Sequence, residues 1–401
     1  MYLTITCPEI LPIIQSIAGG IYAPNLDGKH CLIIKCSKEM ILAAHTKREF
    51  SIYLAPVRLN KFESGSALIT AVFDEGPSPL IITTPLTKDD SMTLELIELF
   101  KSETFQVFFF DHNDRELLSC EAHVTANPLT NRIRNYRLSK PGHEMALIEG
   151  AGAWFRGTGR ADDDRATRVK LEKNLFRDDF VIIDASSANE GVLGASTVSV
   201  SSLVREEPGQ FQEQDIVLAL QRTFRPNQIY INPIKEFDGE EFADVLVVGD
   251  QCTFVIQAKD SPNTRKTVDT KLDRKRRKST SQLQEGINQL KGAISFVRSD
   301  PKLRFSLNGA TVEIDLTAKP ILGIVIVREL FDDMYSEYGK IAFEHIKKTG
   351  VDTVFFDFPE FSKMTLYCKN ESIFLGAARQ ILQAAASHRK FARLLYLGKP
   401  E

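Results

Sequence analysis

Along the first third of the chain, apolar residues fall in short runs with a period near two, the spacing that puts alternate side chains on one face of a strand. These runs predict strands at Cys31–Cys36, Ser51–Ala55, Ala67–Phe73 and Leu80–Thr84. The period then lengthens, with Leu94, Ile97 and Phe100 three apart, and Ser91–Ser102 reads as a helix. A hairpin follows. Its apolar arms, Phe105–Phe110 and Leu117–Val124, are joined by Asp111-His112-Asn113-Asp114, which is turn chemistry, so His112 and Asp114 are read as turn residues and not as a site. Between 126 and 205 the pattern loses regularity. Gly150–Arg160 is glycine-rich but lacks the Gly-Lys-Ser/Thr ending and the preceding strand of a phosphate-binding loop, and reads as a flexible connection. Ser186–Ser202, rich in Ser, Ala and Gly, marks the approach to a domain boundary.

From about residue 208 the periodicity sharpens. Gln210–Phe224 has helical spacing, with Glu213, Val217, Leu220 and Phe224 on one stripe. Strands are expected at Ile229–Ile234, Phe242–Val248 and Thr253–Lys259, the last two joined by Gly249-Asp250-Gln251. Leu283, Ile287, Leu290, Ile294 and Val297 step by four and three, an amphipathic helix. Ile321–Val327 is an almost unbroken apolar run, as in a strand buried on both faces. A helix near Met334–Lys348 ended by Gly350, a strand at Thr353–Phe358 and a helix at Ser372–Ala386 complete the order. The fold class expected is therefore α/β: an α+β N-terminal domain over 1–125, an irregular connection over 126–204, and over 205–401 a central mixed sheet flanked by helices.

Composition narrows the classes. A chain of 401 residues exceeds one ordinary core, at about 150 residues per domain. With 43% hydrophobic and 26% charged residues it has the balance of a globular protein, and no apolar run reaches the ~18–20 residues of a membrane span. Met1-Tyr2-Leu3-Thr4 lacks the layout of a secretion signal, and the six cysteines have no CxxC spacing, so a cytoplasmic protein with reduced thiols is expected. A net charge of −3 argues against a surface basic all over, yet Arg265, Lys266, Lys271, Arg274, Lys275, Arg276, Arg277 and Lys278 crowd one stretch, opposed there only by Asp269 and Asp273.

Chemistry gathers just before that stretch. In the strand Thr253–Lys259, Gln257 and Lys259 share a face with Val255. Asp244 opens the neighbouring strand of an antiparallel pair and falls within reach of both. This grouping suits phosphodiester hydrolysis. Asp244, the Gln257 side-chain oxygen and the Ala258 carbonyl can hold a Mg²⁺ (or Mn²⁺), a hard cation that takes few protein oxygens. Glu213 on the preceding helix is an additional candidate ligand, with Glu241 its competitor. Lys259 can orient the attacking water and offset charge in the transition state.

Asp244 followed by Gln257-Ala258-Lys259 at the end of the next strand resembles the restriction-endonuclease-like superfamily, written PD-(D/E)xK, and within it the Mrr-like branch in which Gln replaces the second acid. The resemblance covers about 208–330, whose helix, three strands, helix and strand match that superfamily's core; nothing of it covers 1–200. Ala243 stands where the motif has Pro, and the basic insertion before the helix near Gln282 is long. The resemblance implies a metal-dependent DNA endonuclease with Asp244, Gln257, Lys259 and Glu213 catalytic. The basic run then reads as a flap beside the site, with Lys271, Arg274, Lys275, Arg276, Arg277, Lys278 and Gln282 contacting DNA. By analogy, the two-part architecture suits restriction or antiphage defence, with the N-terminal half sensing or driving assembly into a homo-oligomer. The competing expectation is a module that keeps the fold and binds nucleic acid without cutting.

Overall fold

Short β-rich runs lay down most of the first unit, and several of them are buried along nearly their whole length. Its strands are β1 (Gly20–Tyr22), β2 (Asn25–Leu26), β3 (Lys29–His30), β4 (Leu32–Lys35), β5 (Glu49–Arg58), β6 (Ser64–Val72), β7 (Leu80–Leu86), β8 (Thr104–Phe110), β9 (Glu116–Ala126) and β10 (Thr167–Asn174). β2 and β3 form a small ribbon; the others make one eight-stranded sheet in the order β1-β4-β8-β9-β10-β5-β6-β7. Only β4 and β8 pair in parallel among the ladders with a register. This computed structural model describes residues 2–26, 28–74, 79–88, 90–129, 132–133, 137–177, 181–184, 191–194, 199–206, 210–317 and 319–394. The chain divides into two units: Met1–Val181 with Ser202–Glu206 and Asn263–Leu272, and Ile182–Ser201 with Glu207–Pro262 and Asp273–Glu401.

Two parts of the first unit differ from the reading of its sequence. The segment 126–177 is not an irregular connection. Thr167, Val169 and Leu171 are buried while Arg168, Lys170 and Glu172 are exposed, and this alternating strand, β10, sits mid-sheet between β9 and β5. Nor is the glycine-rich piece a flexible link. Glu144–Phe155 is a helix that buries Leu147 and Ala151 against Tyr53, Val57 and Ile69. Gly150 permits the approach, because a Cβ there would come within 2.3 Å of Val57 Cγ1. Asp111–Asp114 is a turn: Asp111 Oδ1 accepts from the N–H groups of Asn113 (2.9 Å) and Arg115 (3.0 Å), and Asp114 has φ 65°. The expected boundary stretch 186–202 lies largely outside the described residues. β11 (Val181–Asp184) precedes it, and β12 (Ser199–Ser202) forms its end.

The second unit is an α/β layer structure. Its strands are β13 (Ile229–Ile231), β14 (Val245–Val248), β15 (Thr253–Lys259), β16 (Lys302–Leu307), β17 (Ala310–Asp315), β18 (Ile321–Val327) and β19 (Thr353–Asp357). β16 and β17 pair as a separate hairpin, and the sheet runs β13-β14-β15-β18-β19. β13 and β14 are antiparallel to their neighbours, whereas β15, β18 and β19 are parallel, so the sheet is mixed. Alternate side chains feed two cores. Leu246, Val255 and Val325 pack with Leu283, Ile287, Leu290 and Ile294 of the helix Leu272–Ser299 and with the helix Tyr335–Thr349. Val245, Val247, Phe254 and Ile256 pack with Ile216, Val217 and Leu220 of the helix Gln210–Leu220. The helices Phe358–Tyr367 and Glu371–His388 cover the same face. Each fully buried Leu or Ile contributes about 1.5–3 kcal/mol of transfer free energy. No helix among the described residues is long and apolar enough to cross a membrane.

The basic run is not a loop before a helix near Gln282. Arg274–Lys278 already belong to the helix Leu272–Ser299. Lys and Arg are good helix formers, and the first turns need no apolar stripe, because burial begins only at Ser279. Further down, the helix lies close on β18: a Cβ on Gly286 would come within 2.7 Å of Val325 Cγ1.

Candidate active site

β15 positions the site. Val255 is fully buried and Gln257 is 3% exposed, so the strand emerges from the core only at Ala258 and Lys259. The Gln257 amide Nε2 donates to the Phe242 carbonyl at 3.1 Å, which leaves Oε1 for the site. Asp244 stands one residue before β14, whose Val245 pairs with Ile256, and its Oδ2 accepts from the Ala258 N–H.

The strand expected from Phe242 begins instead at Val245. The chain between β13 and β14 turns back first. Asn232 adopts φ 49° and donates its N–H to the Asp244 carbonyl at 3.0 Å. Phe242 N–H donates to the Pro233 carbonyl at 3.1 Å, and Glu241 bridges to Ile234. This detour sets the Glu241 carboxyl beside that of Asp244, close enough for each to shift the other. Asn232 also holds Glu213, its Nδ2 donating to Oε2 at 3.1 Å.

The carboxyls crowd one another. Glu241 is an exposed residue overall, but loss of water around its carboxyl pushes it up to about 8. The hydrogen bond and charge of Asp244 and the charge of Glu213 add to the rise, and Lys259 opposes it. Asp244 is raised by burial, against the Ala258 N–H, the Glu241 hydrogen bond and Lys259. Glu213 is raised by burial as well, with Asp244 and Asp260 adding and Asn232 and Lys259 opposing. Lys259 also makes an ion pair with Glu285 Oε1 at 3.1 Å, so its charge is shared.

The expected residues Asp244, Gln257, Ala258, Lys259, Glu213 and Glu241 thus meet at one end of β15. Gln282 adjoins them, but its Nε2 donates to the Asp260 carbonyl (2.7 Å) and Ser261 Oγ (2.8 Å), which shapes the exit from the strand. The basic residues separate. Lys271 belongs to the first unit. Arg276 pairs with Asp333 at 2.5 Å and Asp273 at 3.3 Å, and Arg277 Nε donates to the Asp273 carbonyl at 3.3 Å. Lys275 is half-buried, while Arg274 and Lys278 are exposed.

No protein-family model, curated protein or solved structure matches the chain. The functional reading therefore rests on the residues themselves. Four of the site's members were not named as site residues from the sequence. Asp260 follows Lys259 directly and could have been noticed. Glu285 lies on the helix face already marked by Gln282. Asn232 gave no local signal, since its role depends on a left-handed turn. Arg328, 7% exposed, leaves β18 beside Lys259, its N–H donating to the Lys259 carbonyl at 3.1 Å and its guanidinium to the Ser261 carbonyl.

Two observations bear on a divalent cation. The Glu241 carboxyl is pushed up to about 8, first by loss of water and then by the neighbouring Asp244 and Glu213, and a cation beside these carboxyls would relieve their mutual repulsion. Asn232 Oδ1 is buried beside Glu213 with no donor among the described residues. Against a rigid protein cage, no three of His, Cys, Asp and Glu are gathered as a metal-holding group among the described residues. The donor set fits a cation that takes few protein oxygens and keeps several waters, as Mg²⁺ does.

Proposed function

We propose that the second unit is a Mg²⁺- or Mn²⁺-dependent DNA endonuclease of restriction-endonuclease-like type. The observation that carries the reading is the meeting of Asp244, Glu241, Glu213 and Lys259 at the end of β15, where one ammonium acts on three crowded carboxyls. Support also comes from the mixed sheet, whose antiparallel pair β14–β15 carries the acid and the lysine.

In this reading Asp244, Glu241, the Gln257 Oε1 and the Ala258 carbonyl hold the ion, with Glu213 kept in reserve by Asn232. The ion supplies Lewis-acid polarisation of the phosphate and a more acidic bound water. Asp244 is fixed by the Ala258 N–H, so it meets the ion without reorganising. Lys259 orients the attacking water, which gives up a proton to solvent, and offsets charge on the phosphoryl oxygens as the water oxygen bonds to phosphorus and one P–O ester bond breaks. The leaving oxygen takes a proton from solvent or from a bound water. Gln257 contributes no charge, so this site holds one negative charge fewer than an acid at that position would give.

The test is cleavage of supercoiled, linear and single-stranded DNA by the intact protein with Mg²⁺, with Mn²⁺ and with EDTA. Cutting that requires the divalent ion is expected. Binding without cutting of any substrate would leave a nucleic-acid-binding module instead, and the catalytic reading would be wrong.

A further inference from the structure

The helix Leu272–Ser299 presents two kinds of cation. Arg274, Lys278, Gln282 and Glu285 follow one another at helical spacing on one stripe. The lower end of that stripe is anchored at the site, Gln282 to the exit of β15 and Glu285 to Lys259. The upper end therefore continues from the site in the same direction. Arg276 and Arg277 turn elsewhere, toward Asp333 and Asp273.

We propose that Arg274 and Lys278 form a binding place for backbone phosphates of duplex DNA a few nucleotides from the one that is cut, and that Arg277 of the same run takes no part. This rests on the nuclease reading and names the part of the protein that holds the substrate there. Neither Arg274 nor Lys278 has an ion-pair partner among the described residues, although both are exposed. Lys278 also lies within electrostatic reach of Arg328 and Arg274. Burial first, then these two cations, pushes its ammonium down, and Asp260 is the carboxylate that opposes them.

Distances set the register. At 1.5 Å per residue, Lys278 lies about 10 Å along the helix axis from Glu285 and Arg274 about 16 Å. A DNA strand advances about 3.4 Å per nucleotide, so these positions correspond to phosphates roughly three to five nucleotides from the cut.

The experiment measures the affinity of the intact protein for a fluorescent 30-base-pair duplex in EDTA across a salt series. It compares the parent, Arg274→Gln/Lys278→Gln, and Arg277→Gln/Lys291→Gln. The last pair removes the same charge from the same helix, because Lys291 is exposed and lies on another face. Melting temperatures check that both variants fold. The site-face pair is expected to reduce the slope of log affinity against log salt by about 0.9 per contact, roughly 1.8 in all, and the control pair to leave it unchanged. Equal losses in both variants would mean a diffuse cationic field and overturn the proposal. No change in either, with the parent still binding, would place the DNA elsewhere and overturn it while sparing the nuclease reading. A parent that does not bind duplex DNA overturns both.

Discussion

Two acidic pairs in the second unit invite comparison. Asp357 and Glu360 lie at the end of β19; Glu241 and Asp244 lie beside the end of β15. In each pair a carboxyl is pushed upward mainly by burial, Glu360 to about 7 and Glu241 to about 8. Their surroundings differ. Glu360 Oε2 accepts from Tyr335 Oη (2.7 Å) and the Asp357 N–H (3.0 Å), and Oε1 accepts from the Leu394 N–H (2.6 Å). Asp357 Oδ1 accepts from the Glu360 N–H (2.9 Å), and Oδ2 accepts from the Arg393 guanidinium. All four oxygens are engaged, and the pair caps the helix Phe358–Tyr367 and fastens the C-terminal segment to it. In the other pair the Ala258 N–H donates to Asp244, and Lys259, the cation that opposes the rise of both carboxyls, is shared with Glu285. A raised acid alone thus does not mark chemistry. What separates the pairs is whether their oxygens are already satisfied by the fold.

The sharpest way to break this comparison is to remove one member of each pair. Asp244→Ala and Lys259→Ala should each reduce single-turnover cleavage by about a thousandfold or more, the scale of losing a group aimed at transition-state charge. Their melting temperatures should change little. Asp244→Ala should also abolish the thermal shift caused by Mg²⁺, whereas Lys259→Ala should keep it. If both variants cut like the parent, the site lies elsewhere. Asp357→Ala should behave in the opposite way. It leaves the Arg393 guanidinium without its buried partner and should cost about 3–5 kcal/mol in urea denaturation, with the Mg²⁺ shift retained. A loss below about 1 kcal/mol would mean that the engaged oxygens do little for stability.

Two smaller effects sharpen it. Gln257→Glu restores an acid oxygen and should cut roughly tenfold faster than Gln257→Ala, a ligand-shell effect of ordinary size. Equal rates would remove Gln257 from the ion's surroundings. The smallest effect is in pH. Glu241 gives up its proton near 4.5 when unfolded and near 8 when folded. Between those values the folded state holds the extra proton, so folding stability falls as pH rises through that window, and no penalty remains below it. Urea titrations at pH 5 and pH 8 should show a smaller fall for Glu241→Gln than for the parent; identical falls would place the proton on another group.

Much of the second unit is legible in its sequence. β15 and β18 coincide with the runs Thr253–Lys259 and Ile321–Val327, because unbroken apolar stretches bounded by turn residues leave little else for the chain to do. Asp244 and Lys259 follow from strand spacing alone. What escaped depends on longer-range arrangement. The helix Phe358–Tyr367 was hidden behind Pro359 and an apolar run that continued the strand, although Asp357 and Glu360 form a capping box. The hairpin β16–β17 alternates too many charged residues to stand out. β10 has clear alternation, but its neighbours β9 and β5 come from distant parts of the chain, so nothing local says that it lies mid-sheet. The pairing of Glu241 with Asp244 required the left-handed turn at Asn232, which no spacing rule reveals.

The course of the chain after β15 limits how this protein can be cut apart or recombined. Asn263–Leu272 belongs to the first unit although it separates β15 from the helix Leu272–Ser299. Asn263 exchanges two backbone hydrogen bonds with Arg205, at 2.7 and 2.9 Å, and its buried amide donates to the Leu203 carbonyl at 2.7 Å. Lys47 pairs with Asp269 at 3.1 Å. A truncation near residue 205, the obvious breakpoint on paper, would keep every site residue yet leave this segment without the first unit that holds it. The second unit is therefore not a portable cassette. A functional chimera needs both crossings of the chain, near 206 and between 262 and 273, taken from the same parent, so exchange of the N-terminal half alone is expected to yield hybrids that fold poorly.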